Sequence, residues 1–162
     1  MITEVSGDIL LTKAHALAHG VAPGDDFHSG LALALREQWP SLYKDFRHYC
    51  KTRHPKAGDA WAWGGVGVRV VCLLTQEPAP SAGGRPGRAT VANVNHALRN
   101  LKKIVLAEGY TSLALPRLAT GVGGLAWEDV KPLIHTHLGD LEIPIVIYTR
   151  YEKGVAAAEP LS

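Results

Sequence analysis

Short apolar runs alternate with segments of helical periodicity along most of this chain, and this alternation restricts the fold more than any other feature. Residues 66–75 include a nearly continuous apolar run, whose composition is typical of a strand buried on both faces. Residues 90–108 instead carry apolar side chains at helical spacing, with Thr90 able to cap the helix and Gly109 placed to end it. Strands separated by helices predict a mostly parallel sheet that helices cover on both faces.

The remaining elements are predicted from shorter patterns of the same two kinds. Trp39-Pro40 ends the first helix, because proline disfavours the helical conformation at the residue before it. The predicted strands cover residues 2–5, 14–19, 61–63, 66–75, 112–115 and 143–149, and the predicted helices cover residues 30–39, 42–50, 90–108 and 127–137. The alanine-rich tail that starts at Glu152 is expected to be frayed. We therefore expect one domain over residues 1–151 and a short C-terminal tail over residues 152–162.

Length and composition exclude several classes of protein. The chain has 162 residues, of which 46% are hydrophobic, enough for one domain with a substantial core. Its formal net charge of +2 is too small to indicate nucleic-acid binding by itself. Cys50 and Cys72 provide neither a disulfide framework nor a zinc site, which fits a reducing compartment. No signal-peptide pattern begins the chain and no apolar run approaches about 20 residues, so we expect a cytoplasmic protein without a membrane segment.

The segment from Leu115 to Trp127 joins a buried strand to a helix through a glycine-rich loop. Glycines let the main chain approach an anion closely, and the first amides of a helix supply donors at its positive end. The loop lacks the Lys-Ser/Thr ending of a P-loop, and its glycine spacing differs from that of a dinucleotide-binding fingerprint. The pattern therefore indicates either a phosphate-binding loop or a flexible connection between strand and helix.

Two shorter motifs lie beside predicted elements. His28-Ser29-Gly30 opens the first long helix, where Gly30 allows an anion to approach and Ser29 can cap the helix. Asp8 follows the first strand, and its carboxylate can either accept a hydrogen bond from an amino group such as that of adenine or cap a turn. Because ligands of such sheets bind beyond the carboxyl ends of the strands, we expect these motifs near the glycine loop.

Taken in order, these motifs resemble those of the macrodomains. The segments that carry the resemblance are Gly7-Asp8-Ile9-Leu10, Leu17-Ala18-His19, Gly30-Leu31-Ala32, Leu115-Pro116-Arg117 and residues 121–127. The resemblance runs from about residue 2 to residue 150. It is strongest to the branch that contains the terminal ADP-ribose glycohydrolases and the DNA ADP-ribosyl glycohydrolase antitoxins. It implies an α/β fold, a three-layer α/β/α sandwich with a mixed, mostly parallel sheet.

The resemblance also implies a cleft for ADP-ribose. It places adenine against Asp8 and Ile9, the distal ribose and one phosphate along residues 28–31, and the diphosphate along residues 119–124. Tyr148 would stack near the adenine. The ligand-binding residues implied in this way are Asp8, Ile9, His19, Gly20, Ser29, Gly30, Leu31, Thr75, Gln76, Pro116, Leu118, Ala119, Thr120, Gly121, Val122, Gly123, Gly124 and Tyr148, with Tyr151 as a second candidate for stacking.

Several positions depart from the pattern of that branch. Its catalytic lysine, near the end of the central strand, corresponds here to Gln76, whose amide can neither form a Schiff base nor act as a base near neutral pH. Gly123 stands where one subgroup has an aspartate. His28 stands where the family tends to have a small residue, which makes it the candidate catalytic residue, with Glu77 as a second candidate base.

The resemblance implies that the chain binds ADP-ribose and hydrolyses it from a modified macromolecule, DNA or protein, or processes a small derivative such as ADP-ribose 1″-phosphate. The alternatives are a module that binds ADP-ribose without chemistry and an unrelated nucleotide-binding domain. No cofactor is expected. No metal is expected either, because the histidines lack acidic or cysteine partners at metal-ligand spacing. We expect a monomer.

Overall fold

Strands and helices alternate in the computed structural model, which describes residues 1–81 and 84–161. The strands are β1 (Ile2–Gly7), β2 (Ala16–Val21), β3 (Ala60–Gly65), β4 (Val68–Leu74), β5 (Leu113–Pro116) and β6 (Ile145–Tyr151). The helices are α1 (Gly30–Gln38), α2 (Pro40–Arg53), α3 (Val91–Glu108) and α4 (Trp127–Leu138), and a short 3-10 helix, Ile9–Leu11, follows β1.

The strands form one mixed sheet with the order β1-β6-β5-β2-β4-β3. Every neighbouring pair is parallel except β3 and β4, which are antiparallel. In the parallel part, Leu17 lies opposite Val70, and Leu115 lies opposite Ile147. The predicted mixed, mostly parallel sheet is confirmed, and five carboxyl ends of strands meet at one edge.

Helices cover both faces of this sheet. Strand β4 shows why: Val71 and Leu73 pack in one core cluster, whereas Val70, Cys72 and Leu74 pack in the other. The first cluster includes apolar side chains of α3 and α4, and the second includes those of α1 and α2. Because successive side chains of a strand point to opposite faces, the continuous apolar run of β4 serves two cores. The three-layer α/β/α sandwich is therefore confirmed.

The helix boundaries follow the signals in the sequence. Helix α1 ends at Gln38, and α2 begins at Pro40, a position where the missing amide of proline costs nothing. The Thr90 hydroxyl accepts a hydrogen bond of 3.0 Å from the amide of Asn93, and Gly109 ends α3 with a φ of 67°. Among the described helices, none is long and apolar enough to cross a membrane.

The C-terminal tail is ordered against the sheet, so the expectation that it frays is wrong. The amide of Asp8 donates to the carbonyl of Val155 at 2.7 Å, and the amide of Glu152 donates to the carbonyl of Gly7 at 3.0 Å. Main-chain hydrogen bonds and apolar contacts of Ala157 and Leu161 hold the segment, although its own composition carries no helix or strand pattern.

Candidate functional site

A cleft with a volume of about 700 Å³ opens at the carboxyl ends of β2, β4 and β5. Its walls come from the loop after β2, the start of α1, the segment after β4 and the glycine loop after β5. The predicted ligand-binding residues that line it are His19, Gly20, Ser29, Gly30, Leu31, Gln76, Pro116, Leu118, Ala119, Gly121, Val122 and Gly123, together with the candidate catalytic residue His28.

The glycine loop after β5 is a tight turn rather than a flexible connection. The carbonyl of Ala119 accepts the amide of Leu125 at 2.9 Å, and the carbonyl of Gly121 accepts the amide of Gly124 at 3.1 Å. A side chain at Gly123 would place its Cβ 2.6 Å from the carbonyl oxygen of Ala119, a separation that real structures essentially never show. Glycine is therefore required at position 123 by packing.

The same loop presents unused donors. Within the part of the chain that the structure describes, no hydrogen bond occupies the amides of Gly121, Val122 and Gly123. All of these residues line the cleft. A group of main-chain amides turned towards a cleft is the usual means of holding phosphate oxygens.

The opposite wall is fixed by a half-buried aspartate. The Asp25 carboxylate accepts hydrogen bonds from the amides of Ala22 at 3.0 Å and Phe27 at 2.9 Å. Burial raises the pKa of Asp25, and the two main-chain hydrogen bonds oppose that shift. Phe27 is fully buried with a φ of 55°, so the loop is anchored before it delivers His28 to the cleft.

His28 and Asp26 form a pair at the edge of the cleft. The Nδ1 of His28 lies 3.0 Å from the Oδ2 of Asp26, and the His28 side chain is 67% exposed. Both residues line the cleft. A carboxylate at this distance orients the imidazole and leaves Nε2 to face the solvent or a ligand.

Gln76, which is predicted to stand at the position of the catalytic lysine, makes a structural hydrogen bond. Its Nε2 donates to the carbonyl of Gly87 at 3.0 Å, and the residue is only 5% exposed. The neighbouring Glu77 lies outside the cleft lining, and Asn93 Nδ2 donates to its Oε1 at 3.4 Å. The second candidate base is therefore separated from the cleft that holds His28.

Two predicted residues, His19 at the cleft wall and Thr75 outside the lining, are buried polar groups. His19 Nε2 lies 3.2 Å from the Sγ of Cys72, and burial lowers the pKa of His19 to about 4. Within the described residues, His19 Nδ1 and Thr75 Oγ1 are buried without a hydrogen-bond partner. A Cβ on Gly20 would lie 2.7 Å from Thr75 Oγ1, so glycine is needed where β2 passes Thr75.

The residues expected to hold adenine do not line this cleft. Asp8 is buried, and its carboxylate accepts the amides of Leu10 at 3.0 Å and Gly154 at 2.9 Å. Tyr148 is also buried, and its hydroxyl donates to Glu159 Oε2 at 2.8 Å. The predicted residues outside the cleft lining are Asp8, Ile9, Thr75, Thr120, Gly124 and Tyr148. Their roles in ligand binding stay predictions.

Other cleft residues were not singled out from the sequence. They are Val21, Asp25, Asp26, Ala32, Gly84, Arg85, Pro86 and Arg117. Arg117 stands in the Leu-Pro-Arg motif, and Asp26 lies two positions before His28, so both had a local signal. Arg85 lies in a segment rich in proline and glycine, which carries no helix or strand pattern. The two arginines give this part of the cleft positive charge, which suits an anionic ligand.

The layered α/β fold and the main-chain amides at the strand ends together define a domain with an anion-binding cleft. The sequence pattern of the Macro domain family matches residues 7–134, and the chain belongs to this family.

Individual relatives agree with that assignment. A protein of Thermosipho africanus named "DNA ADP-ribosyl transferase-DNA ADP-ribosyl glycohydrolase fusion protein" is 27% identical, over 95% of this chain and 43% of its own length. The ADP-ribose glycohydrolase OARD1 of Homo sapiens is 25% identical, over 91% of each chain. The solved macrodomain of Mycobacterium tuberculosis DarG has a TM-score of 0.80 and 26% identity, covering 91% of this chain and 97% of that one. The chain thus spans less than half of the fusion protein.

Proposed function

We propose that this Macro domain binds ADP-ribose in the cleft and hydrolyses it from a modified macromolecule, with His28 as the catalytic base. The observation that carries the proposal is the His28–Asp26 pair, 3.0 Å apart, which faces the same cleft as the amides of the glycine loop. The relatives named as glycohydrolases of ADP-ribose support this class of reaction. A monomeric, cytoplasmic protein is part of the same proposal.

The glycine loop would hold the diphosphate. The amides of Gly121, Val122 and Gly123 are unused donors in residues that line the cleft, and Arg85 and Arg117 of the same lining add positive charge. Donors fixed before the ligand arrives need no reorganisation, so they hold an anion more tightly than mobile side chains do. The distal ribose would then lie towards the start of α1, beside His28.

The chemistry would be a direct attack by water. The Asp26 carboxylate, 3.0 Å from His28 Nδ1, favours the proton on that nitrogen, so the lone pair on Nε2 can take a proton from a water molecule. The water oxygen forms a bond to the anomeric carbon of the distal ribose while the bond from that carbon to the macromolecule breaks. His28 then returns the proton to the leaving atom, and its own charge is restored.

A lysine-based covalent route is not proposed. The position of that lysine holds Gln76, whose amide nitrogen is not nucleophilic and already donates to Gly87. The aspartate of one subgroup is replaced by Gly123, which has no room for a side chain. These two positions favour a second candidate function, a module that captures ADP-ribose in the same cleft without hydrolysing it.

Binding and turnover measurements separate these functions. Calorimetric titration with ADP-ribose, AMP and NAD tests the ligand, and we expect an ADP-ribose affinity in the micromolar range, roughly −7 to −9 kcal/mol. Turnover is assayed on ADP-ribosylated DNA, ADP-ribosylated protein and ADP-ribose 1″-phosphate. Binding with no turnover on any of these substrates supports the capture module, and absence of ADP-ribose binding at millimolar concentration rules out both functions.

Variants then test the catalytic base. His28→Ala and Asp26→Asn should each lower turnover, the first to background and the second roughly 10- to 100-fold. Both should leave ADP-ribose affinity within a few fold. His48→Ala, which removes an exposed histidine on α2, is the matched control and should match the parent protein. Full turnover by His28→Ala would show that another group acts as the base.

A further inference from the structure

The C-terminal segment over residues 152–161, named here the strap, crosses the carboxyl ends of β1 and β6. Its first part bonds to the end of β1 by main-chain contacts. The carbonyl of Val155 accepts the amide of Asp8 at 2.7 Å, and the amide of Gly154 donates to Asp8 Oδ2 at 2.9 Å. Asp8 is therefore held by the strap through both its main chain and its side chain.

The second part of the strap is held by Glu159. Its Oε2 accepts the hydroxyl of Tyr148 at 2.8 Å and also the hydroxyl of Thr12, and its Oε1 accepts the amide of Lys13 at 2.8 Å. One carboxylate thus joins β6 to the segment that follows the 3-10 helix. Burial raises the pKa of Tyr148, and the hydrogen bond to Glu159 raises it further, so the tyrosine stays a neutral donor.

The strap is packed against the sheet edge without space between them. A Cβ on Gly7 would lie 2.8 Å from the carbonyl oxygen of Val155 and 2.9 Å from the amide nitrogen of Ala157. Ala157 and Leu161 also pack against the core cluster that α1 and α2 cover. Glycine at position 7 therefore permits a close approach of the strap, which is a specific contact of the fold.

The strap covers Asp8, the residue against which the family resemblance places adenine. Both oxygens of the Asp8 carboxylate already accept amides, from Leu10 and Gly154, and the residue is 6% exposed. Gly154 and Val155 lie directly against the carboxylate and the amide of Asp8, so a purine could reach this residue only if the strap moved. In agreement, neither Asp8 nor Tyr148 lines the open cleft.

We propose that the strap is an autoinhibitory element that occupies the adenine position and must lift before ADP-ribose binds. This inference rests on the proposed function, because it concerns one end of the same ligand. A protein whose binding-competent form is a minor fraction shows an affinity reduced by that fraction. Weakening the strap therefore increases affinity for ligands that carry adenine and leaves the affinity for ligands without it unchanged.

Two single variants of the full chain test this prediction. Glu159→Ala removes the acceptor of three hydrogen bonds. Gly154→Pro removes the donor to Asp8, and proline cannot adopt the φ of 74° found at this position. Glu142→Ala is the matched control, because it deletes an exposed glutamate just before β6, at the opposite edge of the sheet. Circular dichroism checks that each variant is folded.

Affinity is measured by calorimetry for ADP-ribose and for ribose 5-phosphate, which has no adenine. Both strap variants should bind ADP-ribose at least tenfold more tightly than the parent and the control, with no change for ribose 5-phosphate. If both strap variants bind ADP-ribose like the parent or more weakly, the strap is not inhibitory, although the proposed function stands. A parallel gain for ribose 5-phosphate would mean that charge repulsion, not occupation of the adenine position, limits binding. If neither parent nor variant binds ADP-ribose, the strap inference and the proposed function both fail.

Hydrogen exchange gives an independent readout on the parent protein. With ADP-ribose bound, the amides of Gly154 and of the residues up to Glu159 should exchange faster, because the strap has left Asp8. Ribose 5-phosphate should leave their exchange unchanged. Slower exchange of the strap with ADP-ribose would show that it closes over the ligand, which overturns the proposal.

Discussion

His19 Nε2 lies 3.2 Å from the Sγ of Cys72, in a fully buried layer between β2 and β4. Neither group can be charged there at low cost. Burial lowers the pKa of His19 to about 4 and raises that of the Cys72 thiol. The pair is therefore a neutral polar contact, and it makes the stability of the domain depend on pH.

The direction of this dependence follows from proton binding. Between the ordinary imidazole pKa of about 6.5 and the folded value of about 4, the unfolded chain binds a proton that the folded protein does not. The free energy of unfolding should fall as pH drops through this window, by up to about 3 kcal/mol from this residue, and level off below it. Urea unfolding at pH 7 and pH 4.5 measures the change.

A variant isolates the contribution of this histidine. In His19→Gln the loss of stability between pH 7 and pH 4.5 should be smaller than in the parent, whatever its effect at pH 7. His48→Gln, on an exposed histidine, should keep the slope of the parent. The raised pKa of Asp25 should increase the free energy of unfolding as pH falls, opposite to the effect of His19. This contribution is present in all three proteins, so it does not affect the comparison. Equal slopes in parent and His19→Gln would show that His19 does not carry the effect.

Two glycines of the cleft loop should differ in their tolerance of the same substitution. Gly123→Ala would place a Cβ 2.6 Å from the carbonyl oxygen of Ala119 and 2.9 Å from the Cβ of Ala89, and both neighbours are fixed by main-chain hydrogen bonds. We expect a loss of about 1–3 kcal/mol in the free energy of unfolding, together with at least tenfold weaker ADP-ribose binding.

Gly121→Ala is the matched control within the same loop. No atom lies within 4 Å of the Cβ that it would add, and Gly121 does not have a positive φ. This variant should stay within about 0.5 kcal/mol of the parent in thermal unfolding. If Gly123→Ala is tolerated as well as Gly121→Ala, the loop is looser than its hydrogen bonds indicate.

These comparisons show which features a sequence can predict. The features of the segment from Leu115 to Trp127 lie close together in the sequence. The apolar run, the glycines and the start of the helix could therefore be predicted from this one stretch, and the structure has them where they were expected. The contact between Asp8 and Gly154 joins residues 146 positions apart. The composition of the alanine-rich tail contains no signal for that contact, which is possible only because Gly7 has no side chain. The sheet order and the position of Arg85 beside the cleft likewise depend on the packed fold.

The cap of α3 gives a prediction about stability alone. Thr90→Ala removes the hydroxyl that accepts the amide of Asn93 at 3.0 Å, and should cost about 1 kcal/mol. Thr52→Ala is the comparison, because that hydroxyl donates to the carbonyl of His48 within α2 and closes no helix end. The midpoint temperature of thermal unfolding of Thr52→Ala should equal that of the parent or be slightly higher, since alanine favours the helical conformation. A smaller loss for Thr90→Ala than for Thr52→Ala would contradict the role of the cap.

The last prediction concerns Gln76, which lines the cleft and fixes the segment that follows β4. Its amide nitrogen donates to the carbonyl of Gly87 at 3.0 Å in a site that is 5% exposed. Gln76→Glu keeps the shape and replaces the donor by a carboxylate oxygen, which would face a carbonyl oxygen in a buried place. We expect a loss of roughly 2–4 kcal/mol in the free energy of unfolding at pH 7.5.

Acid should partly reverse that loss. A buried carboxyl beside a carbonyl favours its protonated form, whose O–H can donate to Gly87 as the amide did. The raised pKa of the new carboxyl means that its protonated form stabilises the fold at low pH, and this contribution is lost as pH rises through the folded-state value. The difference in unfolding free energy between parent and Gln76→Glu should therefore shrink from pH 7.5 to pH 5. Gln76→Met, which removes the donor without adding a charge, should show a smaller loss and a constant difference across the same range. A constant difference for Gln76→Glu would mean that its carboxylate reaches solvent and that the bond to Gly87 does not hold the wall of the cleft.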